Sequence, residues 1–463
     1  MGLRARFLVT LQLLLGLSHV SMSELSKDDF FILVFPNGAD LNHIKKKENR
    51  GKRVALALRS FDENPLIYTD PVAFGTYLQQ KTKVVRFKKR RLKYFKKYPL
   101  EARNVEGLPI AARNITHNNQ KVFLVPKGLG SHWHWYAFLR NRRLPLPDVD
   151  SSIRAMYPEL DLSTKGPVEL ECLSSTPRVF KVHNFLLDHE CDELIRLSEH
   201  SNALKQAIPL TGLENIESNF RNGLADVFGI SRDVLDEDLG ELLDASVADD
   251  VAVSDDSYKR PFDSLVENGT WPITAALKRR ISHVTRIPYA LNEMYGIYGS
   301  QGTKNIAFEG FEISRYNLSA ASAAHSDYLR NMAGNSNRAY EIRRGGKNRY
   351  LTIILFLNTV KRGGQIVFPS SKNKTSTLGK TLPRGKKLRK RLKKLGIKKK
   401  SWEANLLNDC SRSLCIPPEK GSALLIYNFD YYKLRADAHS MYGECPVLKG
   451  SKWTAKMWLW NKQ

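Results

Sequence analysis

The sequence predicts an α+β protein rich in β-strands, with a β-rich C-terminal unit, supporting helices and an N-terminal region of unassigned type. Apolar β-type runs punctuated by Gly and Pro fill much of the chain after residue 310, and two helical patterns precede them. With 463 residues, 42% of them hydrophobic, the chain is long enough for two or three domains. This composition excludes a wholly disordered protein.

Strands and helices are expected at specific places. The strand-like segments of the C-terminal part are 311–316, 350–358, 363–369, 422–427 and 453–460. One helix is expected over 191–198, with a face formed by Cys191, Leu194, Ile195 and Ser198. A second is expected to begin near Pro272, with Ile273, Leu277 and Ile281 at four-residue spacing.

The N-terminus has the layout of a secretory signal peptide over residues 1–23. Arg4 and Arg6 precede an apolar stretch over 7–20, which is short for a membrane-spanning helix, and small residues follow it. A protein of the endoplasmic reticulum lumen, or a secreted one, is therefore expected. Four Asn-x-Ser/Thr sequons, at Asn114, Asn268, Asn317 and Asn373, fit a glycoprotein.

The five cysteines include one closely spaced pair. Cys410 and Cys415 are near enough in sequence to form a small disulfide loop. Cys191 and Cys445 are expected to be buried as small apolar residues.

Residues 24–150 form an N-terminal region of unknown type. A buried strand is expected over 30–36, and a Pro-rich exit follows at 144–147. Within the region, His132 and His134 would share one face of a strand and could form a metal pair. Aromatic packing with Trp133 and Trp135 is favoured, because no third ligand is evident.

The net charge of +26 is concentrated in two segments. Residues 81–97 carry ten basic residues and 380–400 carry twelve, and neither segment contains an acid. The second, with Leu388, Leu392 and Leu395, has the spacing of a basic amphipathic helix. Such segments can bind an acidic partner, an anionic surface or nucleic acid, but a solvated basic insertion is favoured, and nucleic acid is not expected. Residues 233–256 carry ten acids and no base, and are expected to be an insertion.

The pair His325 and Asp327 directs attention to metal chemistry. Residues two apart on an extended strand project to the same side, so the two side chains can hold one ion. Imidazole and carboxylate are two of the three ligands of the two-His, one-carboxylate Fe(II) site. No nucleotide-binding loop, zinc-finger spacing or Ser-His-Asp elbow is visible.

Five motifs around this pair occur in a characteristic order. They are Arg315-Tyr316, His325-Ser326-Asp327, Gly363-Gly364 with Phe368-Pro369, Lys420-Gly421, and Cys445-Pro446-Val447 with Gly450 and Lys452-Trp453. In this order they resemble the prolyl 4-hydroxylase alpha-subunit-like branch of the 2-oxoglutarate- and Fe(II)-dependent dioxygenases. The resemblance covers residues 170–461, with insertions near 233–256 and 371–410. It implies a double-stranded β-helix, a jelly-roll-like sandwich buttressed by helices.

The resemblance also implies roles for individual residues. His325 and Asp327 match the first two iron ligands, and Tyr316 matches a tyrosine that contacts the co-substrate. Lys452 matches the lysine that receives the far carboxylate of 2-oxoglutarate, a role that suits a point charge on a flexible stem. Fe(II), 2-oxoglutarate and L-ascorbate are the implied cofactors, and a proline-containing peptide is the implied substrate.

The third iron ligand departs from the family pattern. In a gapless comparison Tyr442 stands where the family has its last histidine. His439 lies three residues earlier, which on a strand is a shift of about 10 Å that also turns the side chain to the opposite face. It serves only if the following turn is lengthened, so His439 and Tyr442 both remain candidates. A tyrosine would bind iron as the phenolate, after losing a proton from a group with a pKa near 10.

Two functional hypotheses follow. The first is a dioxygenase that hydroxylates peptidyl proline in the secretory pathway. The second is a catalytically lapsed relative, in which the same fold is a binding or scaffolding module for an acidic partner.

Overall fold

The computed structural model describes the chain in separate stretches. They are residues 29–43, 51–57, 65–85, 99–126, 132–146, 167–200, 205–206, 272–287, 308–318, 320–328, 348–371, 386, 390, 393, 401–430 and 435–460. The expected signal segment 1–23, the acidic run 233–256 and most of both basic runs lie outside them. The chain divides into two compact units, one drawn from 1–35, 51–85 and 100–124, the other from 36–50, 86–99 and 125–463.

The first unit is a sheet with helices. Its strands are β1 (Asp29–Pro36), β2 (Lys52–Ala57), β3 (Leu100–Arg103) and β4 (Gln120–Pro126), and they lie in the order β2-β1-β4-β3. Strand β1 confirms the strand expected over 30–36. The helices are α1 (Pro65–Thr69) and α2 (Pro71–Thr82). Helix α2 begins after Asp70, whose side chain accepts a hydrogen bond from the Val72 backbone N–H at 2.8 Å.

The second unit contains the remaining strands. They are β5 (Arg142–Leu144), β6 (Val168–Ser175), β7 (Arg178–His183), β8 (Lys205–Gln206), β9 (Glu312–Tyr316), β10 (Ser322–His325), β11 (Arg349–Phe356), β12 (Arg362–Gly363), β13 (Ile366–Phe368), β14 (Leu414–Ile416), β15 (Ala423–Tyr427), β16 (Phe429–Asp430), β17 (Arg435–Ala436), β18 (Tyr442–Glu444), β19 (Val447–Lys449) and β20 (Lys452–Trp460). Each of the five segments expected to form strands overlaps at least one of them, so those expectations are confirmed.

Two sheets of this unit pack face to face. The large sheet has the order β5-β6-β7-β15-β11-β20-β9-β8, and the small sheet has the order β10-β18-β13-β14. One apolar cluster draws residues from both sheets, namely Val179, Ile354, Phe356, Ile366, Phe368, Leu414, Ile416, Leu424, Ile426 and Tyr442. The unit is thus a β-sandwich with a shared core.

Helices α3 (Asp188–His200) and α4 (Pro272–Thr285) confirm the two helical expectations, and α3 is longer than expected. A bidentate ion pair joins the two helices. Arg280 donates from Nη1 and Nη2 to the two carboxylate oxygens of Glu190, at 2.8 and 2.7 Å, and both side chains are buried. Glu190 also accepts a hydrogen bond from the Leu187 backbone N–H. Both carboxylate oxygens of Glu190 therefore accept hydrogen bonds from neighbouring groups.

Helix α5 (Trp402–Arg412) lies at the end of the segment expected to be an insertion. It begins after Ser401, whose Oγ accepts a hydrogen bond from the Ala404 backbone N–H. A disulfide joins Cys410 of this helix to Cys445. The expected Cys410–Cys415 loop is therefore wrong. All three cysteines lie in one buried cluster, where the sulfur of Cys445 bonds that of Cys410 and the Cys415 thiol lies 3.4 Å from the Cys410 carbonyl oxygen.

The His132–Trp135 segment packs through its aromatic rings, as favoured from the sequence. The His134 ring stacks on Tyr427 with centroids 3.9 Å apart, and its Nδ1 lies 3.1 Å from the Tyr350 hydroxyl. Nε2 of His132 lies 3.0 Å from the Trp460 carbonyl oxygen. Burial, reinforced by Arg178, lowers the pKa of His134 well below its usual value. His134 therefore belongs to the core, while His132 is half-buried beside it.

Across the described parts of the chain, we find no helix with the length and apolarity needed to cross a membrane.

The Glu190–Arg280 pair gives the first prediction. Glu190→Ala should lower the free energy of unfolding by about 3–5 kcal/mol, because it leaves a buried guanidinium without its partner. The matched control is Glu193→Ala on the same helix, whose partner Arg196 is exposed, and which should cost far less. Urea unfolding of both variants measures the difference, and equal losses would contradict the assignment.

Candidate functional site

One end of the sandwich interior is polar. Strand β20 is buried along most of its length, and alternation places Lys452, Thr454 and Lys456 on one face. Both lysines approach the carboxylate of Glu444, on β18 of the opposite sheet. Charged groups therefore lie between the sheets beside the apolar cluster described above.

His325 and Asp327 come together at the edge of this polar region. His325 ends β10, and its Nε2 lies 3.3 Å from Oδ1 of Asp327. Its Nδ1 lies 3.0 Å from the Ala323 carbonyl oxygen, which can only accept, so Nδ1 carries a proton. The Asp327 side chain is buried, while His325 is partly exposed. The structure thus brings together the two residues predicted to be the first iron ligands.

Tyr442 stands directly opposite His325. The two residues are paired in the β10–β18 register, and their ring centroids are 4.8 Å apart. The Tyr442 hydroxyl donates a hydrogen bond of 2.8 Å to Oδ2 of Asp327, which also accepts one of 2.7 Å from Thr352. Tyr442 is 0% exposed. Of the two candidates for the third position, Tyr442 is the one that reaches the pair.

His439 lies in the turn that precedes β18. Its Nδ1 and its backbone nitrogen are both 3.0 Å from Oδ1 of Asp437, and its side chain is 38% exposed. Within the stretches that the structure describes, no three His, Cys, Asp or Glu side chains are grouped as a metal site. All histidines except His19 belong to those stretches. His439 therefore does not complete a set with His325 and Asp327.

Protonation in this cluster follows from burial and charge. Burial opposes ionisation of Asp327, but the hydrogen bond with His325 and the charge of Lys456 outweigh it and hold the pKa of the carboxyl well below its usual value. Burial also works against the charged form of His325, yet the hydrogen bond with Asp327 raises the pKa of the imidazole. For Tyr442, burial and then the charges of Asp327 and Glu444 raise the pKa well above 10. Tyr442 is a neutral phenol.

Lys452, predicted to receive the co-substrate carboxylate, is fully buried and already in contact with a carboxylate of this chain. Its Nζ donates to Oε2 of Glu444 and, at 3.2 Å, to the Gly364 carbonyl oxygen. Nζ also lies 4.0 Å from the centroid of the Tyr316 ring. The structure thus places Tyr316 and Lys452 side by side, with Glu444 between the sheets next to them.

The Gly-Gly motif permits the close approach to this lysine. Gly364 has a φ of +69°, and an added Cβ would lie 3.2 Å from Cδ of Lys452. A side chain here would be strained and would crowd the lysine stem. Because Gly364 has no side chain, its carbonyl oxygen can lie within hydrogen-bonding distance of Nζ of Lys452.

Glu444 is ionised in this environment. Burial raises the pKa of its carboxyl, but the charges of Lys452 and Lys456 outweigh that effect and lower the pKa to about 2. Burial lowers the pKa of Lys452 despite the attraction of Glu444. Tyr316 is hydrogen bonded to the same carboxylate, and its pKa is raised well above 10 by burial and by Glu444.

The sequence reasoning missed Glu444, Lys456 and Thr352. One signal was available, because Glu444 lies two residues after Tyr442, and Lys456 lies four after Lys452 within a strand-like run. Even spacing on a strand puts such residues on the face of the candidate site residue. A charged residue on that face must find a buried partner.

Comparison with known proteins finds similar chains among the prolyl 4-hydroxylases. No family model matches the sequence. Prolyl 4-hydroxylase 2 of Arabidopsis thaliana is 26% identical over 297 residues, which cover 64% of this chain and 71% of that protein. Probable prolyl 4-hydroxylase 6 of the same plant is 27% identical over 294 residues, covering 63% and 72%. A solved 2OG complex of the viral collagen prolyl hydroxylase of Paramecium Bursaria Chlorella virus-1 aligns with a TM-score of 0.28 and 13% identity, covering 61% of this chain and 94% of that one.

The sequence relatives confirm the resemblance carried by the five motifs. The chain is a prolyl 4-hydroxylase-like protein. These relatives support the class of prolyl-hydroxylase-like proteins.

The hydroxyl of Tyr442 gives the second prediction. Tyr442→Phe should lower the free energy of unfolding by about 1–3 kcal/mol, because a buried carboxylate loses one charge-assisted hydrogen bond. The same change at the exposed Tyr68 should have no measurable effect. Thermal and urea unfolding of both variants provide the test, and an unchanged Tyr442→Phe would mean that the bond to Asp327 is absent.

Proposed function

We propose that this chain is a prolyl-hydroxylase-like protein that has lost iron and 2-oxoglutarate chemistry and acts as a binding module. The observation that carries this proposal is the hydrogen bond from Tyr442 to Asp327. Tyr442 places a neutral phenol at the position of the third ligand. Its hydroxyl donates a hydrogen bond to one carboxylate oxygen of Asp327, the second ligand. The two sheets would then be a double-stranded β-helix kept as a scaffold.

The residues present do not fit Fe(II) in a facial triad. Such a site needs two imidazoles and a carboxylate, and this one offers one of each. Tyr442 supplies a phenol instead of the second imidazole, and a phenol binds iron only as the phenolate, whereas the Tyr442 hydroxyl keeps its proton in a hydrogen bond to Asp327. We therefore derive no reaction step through iron at this site.

A second candidate function is the peptidyl-proline dioxygenase expected from the family, with L-ascorbate as reductant. It is favoured by the 3.3 Å separation of His325 Nε2 and Asp327 Oδ1. This is close to the spacing of about 3 Å between adjacent ligands of an octahedral ion. The relatives favour it as well.

Turnover decides between the two candidates. We expect no succinate from 2-oxoglutarate when the protein is supplied with Fe(II), ascorbate and proline-rich peptides. His325→Ala should then give the same background as the natural chain. Succinate production that falls in His325→Ala would establish the dioxygenase, and a parallel fall in His439→Ala would identify His439 as the third ligand.

Metal binding gives the third prediction. Tyr442→His places an imidazole opposite His325, so it should raise the affinity for Fe(II), measured anaerobically by calorimetry, by about 100-fold or more. Tyr442→Phe is the matched control, since it removes the hydroxyl without adding a donor. The gain should disappear in Tyr442→His combined with His325→Ala. Tight Fe(II) binding by the natural chain would contradict the proposal.

The partner that we propose is an acidic protein, bound through the basic segments 81–97 and 380–400. Lys386, Lys390 and Lys393 support this, because they are helical and exposed and recur at the spacing of successive helical turns. Their charges would therefore form one stripe on the surface. Opposite charge on a partner would steer and strengthen association.

Binding to an acidic peptide gives the fourth prediction. Changing Lys386, Lys390 and Lys393 to Gln should weaken binding of a labelled polyglutamate peptide several-fold in fluorescence polarisation, and added salt should weaken it further. The matched control changes three exposed lysines elsewhere, Lys52, Lys121 and Lys361, to Gln, which removes the same charge. Equal weakening in both triple variants would mean that net charge, rather than this segment, attracts the peptide.

We also propose residence in the endoplasmic reticulum lumen or outside the cell, with glycosylation at exposed sequons. The Cys410–Cys445 disulfide supports an oxidising compartment.

A further inference from the structure

Glu444 has the contacts of a bound carboxylate ligand. It is 0% exposed, and its Oε2 accepts from Nζ of Lys452, which is equally buried. Its Oε1 lies 3.6 Å from Nζ of Lys456. The carboxylate therefore lies between two lysines of one strand, although it belongs to the opposite sheet.

Among the contacts of Lys452 Nζ, the Glu444 carboxylate is the charged one. The other contacts of Nζ are the Gly364 carbonyl oxygen and the face of the Tyr316 ring. A carbonyl dipole and an aromatic face stabilise an ammonium group but do not neutralise it. The pocket is thus built for one negative group, and Glu444 supplies it.

We propose that Glu444 is a built-in ligand of this anion pocket, and that the pocket accepts an external small carboxylate only when the Glu444 carboxylate is removed. This inference deepens the proposed function. It rests on that function because it takes Lys452 as the anion-binding residue. It does not depend on whether a metal binds.

Charge balance explains why an external dicarboxylate would not enter beside Glu444. Lys452 and Lys456 already face the carboxylate of Glu444, and the charge of Lys456 also acts on Asp327. Glu444 therefore already supplies the negative group that Lys452 meets, and a dianion would have to share the same two lysines with it. Bringing two more negative charges into a buried site without cations is strongly unfavourable.

Chemical rescue tests the proposal. Glu444→Ala removes the carboxylate and one methylene carbon, which together have the same heavy atoms as acetate. We expect the melting temperature to fall by at least about 5 °C, because Lys452 is left without its partner. Acetate should then raise it in a saturable way, recovering at least half of the loss, and glutarate and 2-oxoglutarate should also raise it. The natural chain should respond to none of the three.

Three controls isolate the pocket. Acetamide and matched sodium chloride should not rescue Glu444→Ala, since they lack a carboxylate. Rescue by acetate should vanish when Lys452→Met is added to Glu444→Ala. Glu419→Ala removes the partner of Lys181 at a carboxylate whose side chain is 57% exposed, and acetate should not affect that variant.

Several results would overturn the inference. A saturable stabilisation of the natural chain by 2-oxoglutarate or glutarate would mean that the pocket is already open. A folded Glu444→Ala protein that does not respond to acetate would mean that Glu444 is only a structural partner. If Glu444→Ala is insoluble, its refolding yield with and without acetate replaces the melting temperature, and an acetate-independent yield would also count against the proposal.

The outcomes separate this inference from the proposed function. Succinate production by the natural chain would contradict the proposal that it has lost iron and 2-oxoglutarate chemistry. A different result is that acetate rescues Glu444→Ala while Tyr442→His gains no affinity for Fe(II). That result would support the role of Glu444 but contradict the argument that Tyr442 replaces the third iron ligand.

Discussion

The ion pair between Lys452 and Glu444 is the contact on which the interior of the sandwich depends. A lysine buried between two sheets is strongly destabilising unless an opposite charge meets it there. Because Lys452 is on β20 and Glu444 is on β18, the pair links the large sheet to the small one. It also requires the close approach of the Gly364 carbonyl oxygen, which the positive φ of that glycine permits. The polar end of the interior is thereby closed by groups of the chain itself.

The cluster around Asp327 follows the same principle. A buried carboxylate needs donors, and Tyr442 and Thr352 supply two hydrogen bonds to a single oxygen while His325 approaches the other. In an iron site, the metal would satisfy those atoms. Here protons of neighbouring side chains do so, and burial keeps the Tyr442 phenol protonated.

Much of the fold was predictable, because its signals are local. Apolar β-type runs punctuated by Gly and Pro indicated β9, β11, β15 and β20, and helical spacing at Ile273, Leu277 and Ile281 indicated α4. The motifs also identified His325, Asp327, Tyr316 and Lys452 as residues of one site. The Cys410–Cys445 pairing and the role of Glu444 were not predictable in the same way. Both depend on which strands and helices become neighbours across the small sheet, and sequence spacing does not contain that information.

The two departures from a dioxygenase site have one physical consequence. Iron and a dicarboxylate bring opposite charges, so a site that binds both can be neutral only when both are present. In this chain Tyr442 takes the place of a metal ligand without adding charge, and Glu444 adds the negative charge that a co-substrate would supply to Lys452. The charges of Lys452 and Glu444 consequently offset each other without a co-substrate. A lysine that already meets a carboxylate of its own chain has little to gain from binding a second one, and this is the physical basis of the scaffold that we propose.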